Sequence, residues 1–194
     1  MSDLPDLEPA TRLTASIVAA VDDDSLDRPT PCPEYSVRHI LAHLDGLSMA
    51  FTAAASKDLG DMTDTPPGST EFTLNEGWRE RIPARLASLA QAWSDPSAWD
   101  GMTQAGGVDM PGEVAGLVAL DEVVLHGWDL AKGTGQAYEP DPATAAVVHG
   151  FLVESRKGEV PENLFGPVVE IGDEAHTFDH ALGLAGRDPG WQSS

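Results

Sequence analysis

The stretch Pro111–Gln136 reads PGEVAGLVALDEVVLHGWDLAKGTGQ, and its periodicity predicts one long helix. Leu117, Val118, Asp121, Val124, Leu125 and Trp128 recur on one side, the spacing of a helical face turned toward a core. Pro111 suits a first helical turn, where its missing N–H is not needed, and Gly133 suits a C-terminal cap. With Leu117 as zero, the apolar stripe centres at about 30° on a helical wheel, while Glu122 and His126 fall at roughly 140° and 180°. They flank the stripe. Because they are four residues apart, their side chains share a face one turn apart and can converge on one ion. Asp129 extends that face by another turn.

The rest of the chain is also helical in pattern. Leu7, Ala10, Leu13, Ile17 and Val21 form the stripe of a first helix that ends at the acidic turn Asp22–Asp24. Arg28 to Tyr35 holds three prolines and cannot be helix interior. Ser36 then reads as the N-cap of a second helix with Val37, Ile40, Leu41, Leu44, Leu47 and Phe51 on its apolar face. Lys57 to Thr70 reads as a long loop, and Trp78, Ile82, Leu86, Leu89 and Trp93 mark a third helix. Asp95 to Pro111 is again loop-like, with a short extended piece around Met102 to Val108. A fifth helix starts after Asp141 with Pro142 in its first turn, and the tail alternates a short strand, Val168 to Ile171, with a last helix near Phe178 to Leu184. Strands and helices do not alternate as a doubly wound sheet requires. The expected class is therefore all-α, a four-helix bundle with long connections and short C-terminal extra elements.

Composition narrows the function. The chain has 194 residues, enough for one sizeable core, so residues 1–194 are expected to form one domain. Asp and Glu total 32 against 11 Lys and Arg, a formal charge of -21. Such a field repels phosphate backbones and anionic membranes, so neither nucleic acid nor membrane is an expected partner. The single Cys32 has no intramolecular disulfide partner and no second thiolate for a zinc knuckle. The acidic start MSDLPDLEPA does not resemble a signal peptide, so a cytoplasmic location is expected, as a monomer or homodimer.

A Glu-x3-His pair alone is a weak signal, since a solvated helix face often carries one. The second helix, however, offers His39 and His43, also four apart, and His43 borders the face made by Ile40, Leu44 and Leu47. One imidazole from that helix with Glu122 and His126 would make a His2Glu set, three protein ligands with a position open to water or substrate. His39 lies further from the apolar stripe and is the weaker choice.

Two strings carry a resemblance: PTPCPEYSVRHILAHL, Pro29 to Leu44, and DEVVLHGWDLAKGTGQ, Asp121 to Gln136. Together with the ending FGPVVEI through GRDPGW, Phe165 to Trp191, they resemble the actinobacterial branch of the DinB-like superfamily. That branch includes the metal-binding N-terminal domain of mycothiol-dependent maleylpyruvate isomerase. The resemblance implies a four-helix bundle holding a divalent metal, usually zinc, with His43 from LAHL and Glu122 and His126 as ligands. It also implies a metal that activates a small thiol, commonly mycothiol, or a water molecule. His39 stands where relatives often carry an acidic residue, and Tyr35 where many carry Trp. The isomerase is longer, with a separate C-terminal domain that contributes to its active site, so isomerisation of maleylpyruvate itself is not expected here.

The sequence leaves three activities open: transfer of a mycothiol-like thiol to a small electrophile or isomerisation of one, metal-dependent hydrolysis, and a non-catalytic metal-binding or interaction module. Thiol chemistry is preferred through the resemblance. Asp129 is read as a cap, an Arg partner or an acceptor that orients His126. Cys32 is expected to pack as a small buried residue, and Trp78 and Trp128 as core aromatics. His149, His176 and His180 are expected at the surface, with His180 able to approach the site if the last helix folds back.

Overall fold

The structure is a computed structural model that describes residues 4–65, 73–158 and 165–193. Its long elements are α1 (Glu8–Ala19), α2 (Val37–Ala55), α4 (Trp78–Trp93), α6 (Gly112–Thr134) and α7 (Pro142–Ser155). Between and after them lie the one-turn helices α3 (Asp61–Asp64) and α5 (Pro96–Trp99), the hairpin β1 (Met102–Ala105) with β2 (Val108–Pro111), and α8 (Thr177–Leu184). Helices α1 and α2 each pack on both α4 and α6, which closes a ring of four long helices. The expected all-α bundle is present, and its apolar stripes form the core. Val18, Ile40, Leu41, Leu44, Ile82, Leu86, Leu89, Val123, Val124 and Leu130 are all completely enclosed. Each such branched side chain contributes about 1.5 to 3 kcal/mol relative to exposure.

Local chemistry sets the helix ends. Ser36 is extended at the N-cap of α2, and its N–H donates to Nδ1 of His39 three residues on, at 3.2 Å. Asp141 caps α7 by accepting from the N–H groups of Ala143 and Thr144. The expected cap of α6 moves by two residues. Gly133 lies inside the helix, where a Cβ would meet Thr30, Pro29 and Val37 at 3.0 to 3.1 Å. Gly135 is the left-handed residue, with φ 71°, and it lets Gln136 N–H close on Ala131 O at 2.8 Å.

Three loop or strand expectations are revised. The loop from Lys57 contains α3, and its later part, 66–72, lies outside the described residues. The extended piece around Met102 to Val108 is half of a two-stranded antiparallel hairpin pairing Met102 with Pro111 and Ala105 with Val108. Val168 to Ile171 is not a strand. Its Val169 N–H donates to Gly183 O on α8, a helix end and not a strand edge. Among the described residues no helix is long and apolar enough to cross a membrane.

The helix pairs are also tied by polar contacts. Asp45 on α2 accepts from Arg81 Nε at 2.9 Å and an Arg85 guanidinium nitrogen at 2.6 Å, both on α4. Thr14 on α1 donates to Val123 O of α6 at 3.2 Å and shares a 3.1 Å hydrogen bond with Tyr138. At this crossing a Cβ on Gly127 would meet Thr14 Oγ1 at 2.4 Å and the Tyr138 ring at 2.7 Å. The Thr14 hydroxyl and the Tyr138 ring can lie against α6 here because position 127 has no side chain.

Candidate metal centre

The α2 and α6 stripes face each other, so the residues on their flanks meet at the seam. His43 from α2 reaches Glu122 on α6, its Nε2 lying 2.9 Å from Glu122 Oε2. His126, one turn further along α6, places its Nε2 3.3 Å from the same oxygen. The two imidazoles stand edge to face, with ring centroids 4.7 Å apart. One donor atom from each of His43, Glu122 and His126 lies within 4.8 Å of the others. His126 is more enclosed than a flank position suggests, being 8% exposed.

The far nitrogen of His126 is also engaged. Its Nδ1 lies 3.1 Å from Oδ2 of Asp129, which is fully buried. Of the readings open for Asp129, two hold together: it faces His126 and it pairs with an arginine, Arg187. Arg187 presents a fork, with Nε 3.3 Å from Oδ1 and an Nη 2.9 Å from Oδ2.

These contacts set the protonation states of the metal-free protein. Burial pushes the Glu122 carboxyl up, but hydrogen bonds from His126 and His43 outweigh it and hold the group well below the ordinary range. Burial would lower His126, yet the bonds to Asp129 and Glu122 raise it to about 9. Asp129 is likewise raised by burial and brought below its usual value by Arg187 and His126. Asp121, by contrast, is pushed well above the carboxylate range by burial and by neighbouring Glu122. Its Oδ1 has no hydrogen-bond partner among the described residues.

Other sequence candidates separate from this cluster. His39 turns to the cap of its own helix and packs beside Tyr35, ring centroids 6.2 Å apart. Tyr35 also lies beside both imidazoles of the cluster, 5.9 Å from His43 and 6.4 Å from His126. Burial, then the charges of Cys32 and Glu122, raise its phenol and keep it protonated. His180 does not reach the cluster; it pairs with His149, ring centroids 6.3 Å apart, so these two are half-buried partners and not isolated surface residues. His176 is exposed at the start of α8. Cys32 is half-buried against the core, and burial with Asp129 nearby raises its thiol to about 11. Trp78 and Trp128 are core residues as expected. Arg187 was not foreseen, because no local period signals a contact made 58 residues away.

Two imidazoles and one carboxylate converging in this way are a donor set that a divalent transition metal accepts in place of the protons they share, with no thiolate required. The contact from Asp129 to the outer nitrogen of His126 suits it further. A ligand histidine ordinarily donates its other N–H to a carboxylate, which fixes the tautomer that binds.

Comparison with known proteins places these residues in context. Residues 7–131 match the family profile of the mycothiol maleylpyruvate isomerase N-terminal domain. An uncharacterized protein of Mycobacterium tuberculosis, from each of two strains, is 28% identical over 134 residues, which is 68% of this chain. The chain spans 66% of those relatives' own length, just under two thirds. Among solved structures, the crystal structure of the mycothiol-dependent maleylpyruvate isomerase superposes with a TM-score of 0.58 at 20% identity, and that of a mutant with 0.59 at 19%. Both similarities cover 77% of this chain and 70% of the other, and at this identity they bear on the fold alone.

Proposed function

Given that this chain belongs to the family of the mycothiol maleylpyruvate isomerase N-terminal domain, we propose that it is a metal-dependent enzyme of thiol chemistry. It holds a divalent ion, zinc by the family resemblance, on His43, Glu122 and His126. It uses that ion to engage a low-molecular-weight thiol of the mycothiol kind for transfer to, or isomerisation of, a small electrophile. The observation that carries the reading is the convergence of three donor atoms within 4.8 Å across the α2–α6 seam.

When bound, the ion supplies Lewis acidity, which lowers the pKa of a coordinated thiol or water toward neutrality. The chain's own residues do the rest. His43 and His126 hold the Glu122 carboxylate ionised, so it is ready to accept a cation. Asp129 holds the His126 ring in one orientation, and Tyr35 keeps a protonated phenol beside the two imidazoles. The donor set itself accepts a thiol or a water equally; the choice of thiol comes from the family. Burial and the nearby Asp129 raise the Cys32 thiol to about 11, which disfavours its thiolate in the metal-free protein.

The test is a titration of the cobalt-substituted protein with mycothiol, read by absorbance. A sulfur-to-cobalt charge-transfer band is expected for the wild-type chain and not for the His126→Ala variant. Cobalt binding without that band at millimolar thiol would exclude thiol chemistry and move the reading to hydrolysis or a non-catalytic metal module. No cobalt binding at all would exclude the metal site.

A further inference from the structure

The four-helix ring carries the three donor atoms, yet the group behind them comes from outside it. Arg187 follows α8 and lies 56 positions beyond residue 131, where the family match ends. Its placement is closely determined. Helix α8 ends at Leu184; two residues on, Gly186 is left-handed with φ 78°, and Arg187 N–H turns back onto Leu182 O at 2.8 Å. A Cβ at Gly186 would meet Gly166 Cα at 2.7 Å, so the turn is wedged against the preceding segment. Arg156, the C-cap of α7, donates to the carbonyls of Leu184 and Gly166 and fastens the same turn from behind.

From that turn the guanidinium points inward, its side chain 11% exposed, onto an Asp129 side chain that is 0% exposed. Its Nε and one Nη take both carboxylate oxygens; another Nη donates to Ala185 O at 2.9 Å. A carboxylate held at both oxygens cannot rotate about its last bond, so Oδ2 keeps a fixed direction toward His126 Nδ1. A point charge such as an ammonium would neutralise Asp129 equally without fixing that direction.

We infer that Arg187 is a positioning residue for the α2–α6 site: through its two-pronged hold on Asp129 it fixes the ring of His126, so the C-terminal segment Phe165–Trp191 completes a site whose donors all lie on the bundle. This rests on the reading of His43, Glu122 and His126 as metal ligands. It gives the chain's tail a task at the site that the family match does not contain.

The experiment measures zinc and cobalt affinity by competition with a chelating dye, and the cobalt ligand-field spectrum, for the full chain and for Arg187→Gln, Arg187→Lys and Arg156→Gln. Circular dichroism checks folding. Arg187→Gln is expected to weaken metal binding several-fold, up to the roughly 10- to 100-fold that losing the group bonded to a ligand histidine itself brings, and to shift the cobalt spectrum. Millimolar guanidinium should restore both, and ammonium at equal concentration should not. Arg187→Lys keeps charge and bulk, and so should fold where Gln does not; it should still lose affinity because it cannot fork. Arg156→Gln loosens the turn that carries Arg187 but leaves the fork itself intact, and should weaken binding less than Arg187→Gln.

Wild-type affinity in Arg187→Lys, or rescue by ammonium as complete as by guanidinium, would each overturn the inference while leaving the metal site standing. Failure of the wild-type chain to bind either metal would overturn both.

Discussion

His126 is the residue on which the site turns, since Glu122 and Asp129 meet it from opposite sides. On the proposed reading, His126→Ala protein purified without chelator or tag histidines is expected to lose most of its metal by elemental analysis. His149→Ala, whose ring faces His180 instead, should keep it, and equal losses would mean that scattered imidazoles, not a site, bind the ion. Asp121 presents the opposite situation, a buried carboxyl with an unpartnered oxygen. Its folded pKa is raised by burial and Glu122, so the folded state keeps a proton that the unfolded chain releases above about pH 3.9. Stability is therefore lost as pH rises from that value toward the folded one. In urea unfolding of the metal-free protein, Asp121→Asn should gain about 1 to 3 kcal/mol at neutral pH and little at about pH 4. A gain independent of pH would show that packing, not ionisation, sets the difference.

At the level of elements, the α1–α6 crossing is the most sensitive contact. Gly127→Ala drives a Cβ into Thr14 Oγ1 and the Tyr138 ring, which forces the helices apart and should cost about 1 to 3 kcal/mol in urea unfolding. Gly150, where a Cβ would meet nothing within 4 Å, is the control, and Gly150→Ala should not destabilise. The sequence was informative wherever period and packing coincide. The stripes of α1, α2, α4 and α6 are the core, and His43, Glu122 and His126 were singled out by their places beside two of those stripes together with the family resemblance. It was less informative where glycine has two uses. Gly133 and Gly135 both look like caps, and only the neighbours Thr30 and Val37 reveal that the first is there for close approach. Val168–Ile171 has the β-branched look of a strand, but among the described residues no partner strand stands beside it; α8 does.

For the whole molecule, what local patterns could not reveal was which helices touch. Amphipathic stripes state that four helices share a core without stating their order around it, and the fork from Arg187 to Asp129 depends on that order and on the path of the tail. In the ring, α1 and α2 stand at opposite corners, as do α4 and α6. Consecutive long helices α1 and α2 therefore do not form a hairpin that stands alone, and the closest link at the seam, His43 to Glu122, spans 79 positions. Loop closure over such distances comes before the contacts that reward it, which slows folding relative to bundles of adjacent hairpins. In stopped-flow refolding, the capacity to bind cobalt should appear in the same phase as the burial of Trp128, with no earlier binding-competent species. Synthesis from the N-terminus adds a further consequence. Until Gly112–Thr134 has cleared the ribosome, α1 and α2 each carry an uncovered apolar flank, and it is during that interval of translation that this chain is most exposed to aggregation and most dependent on chaperones.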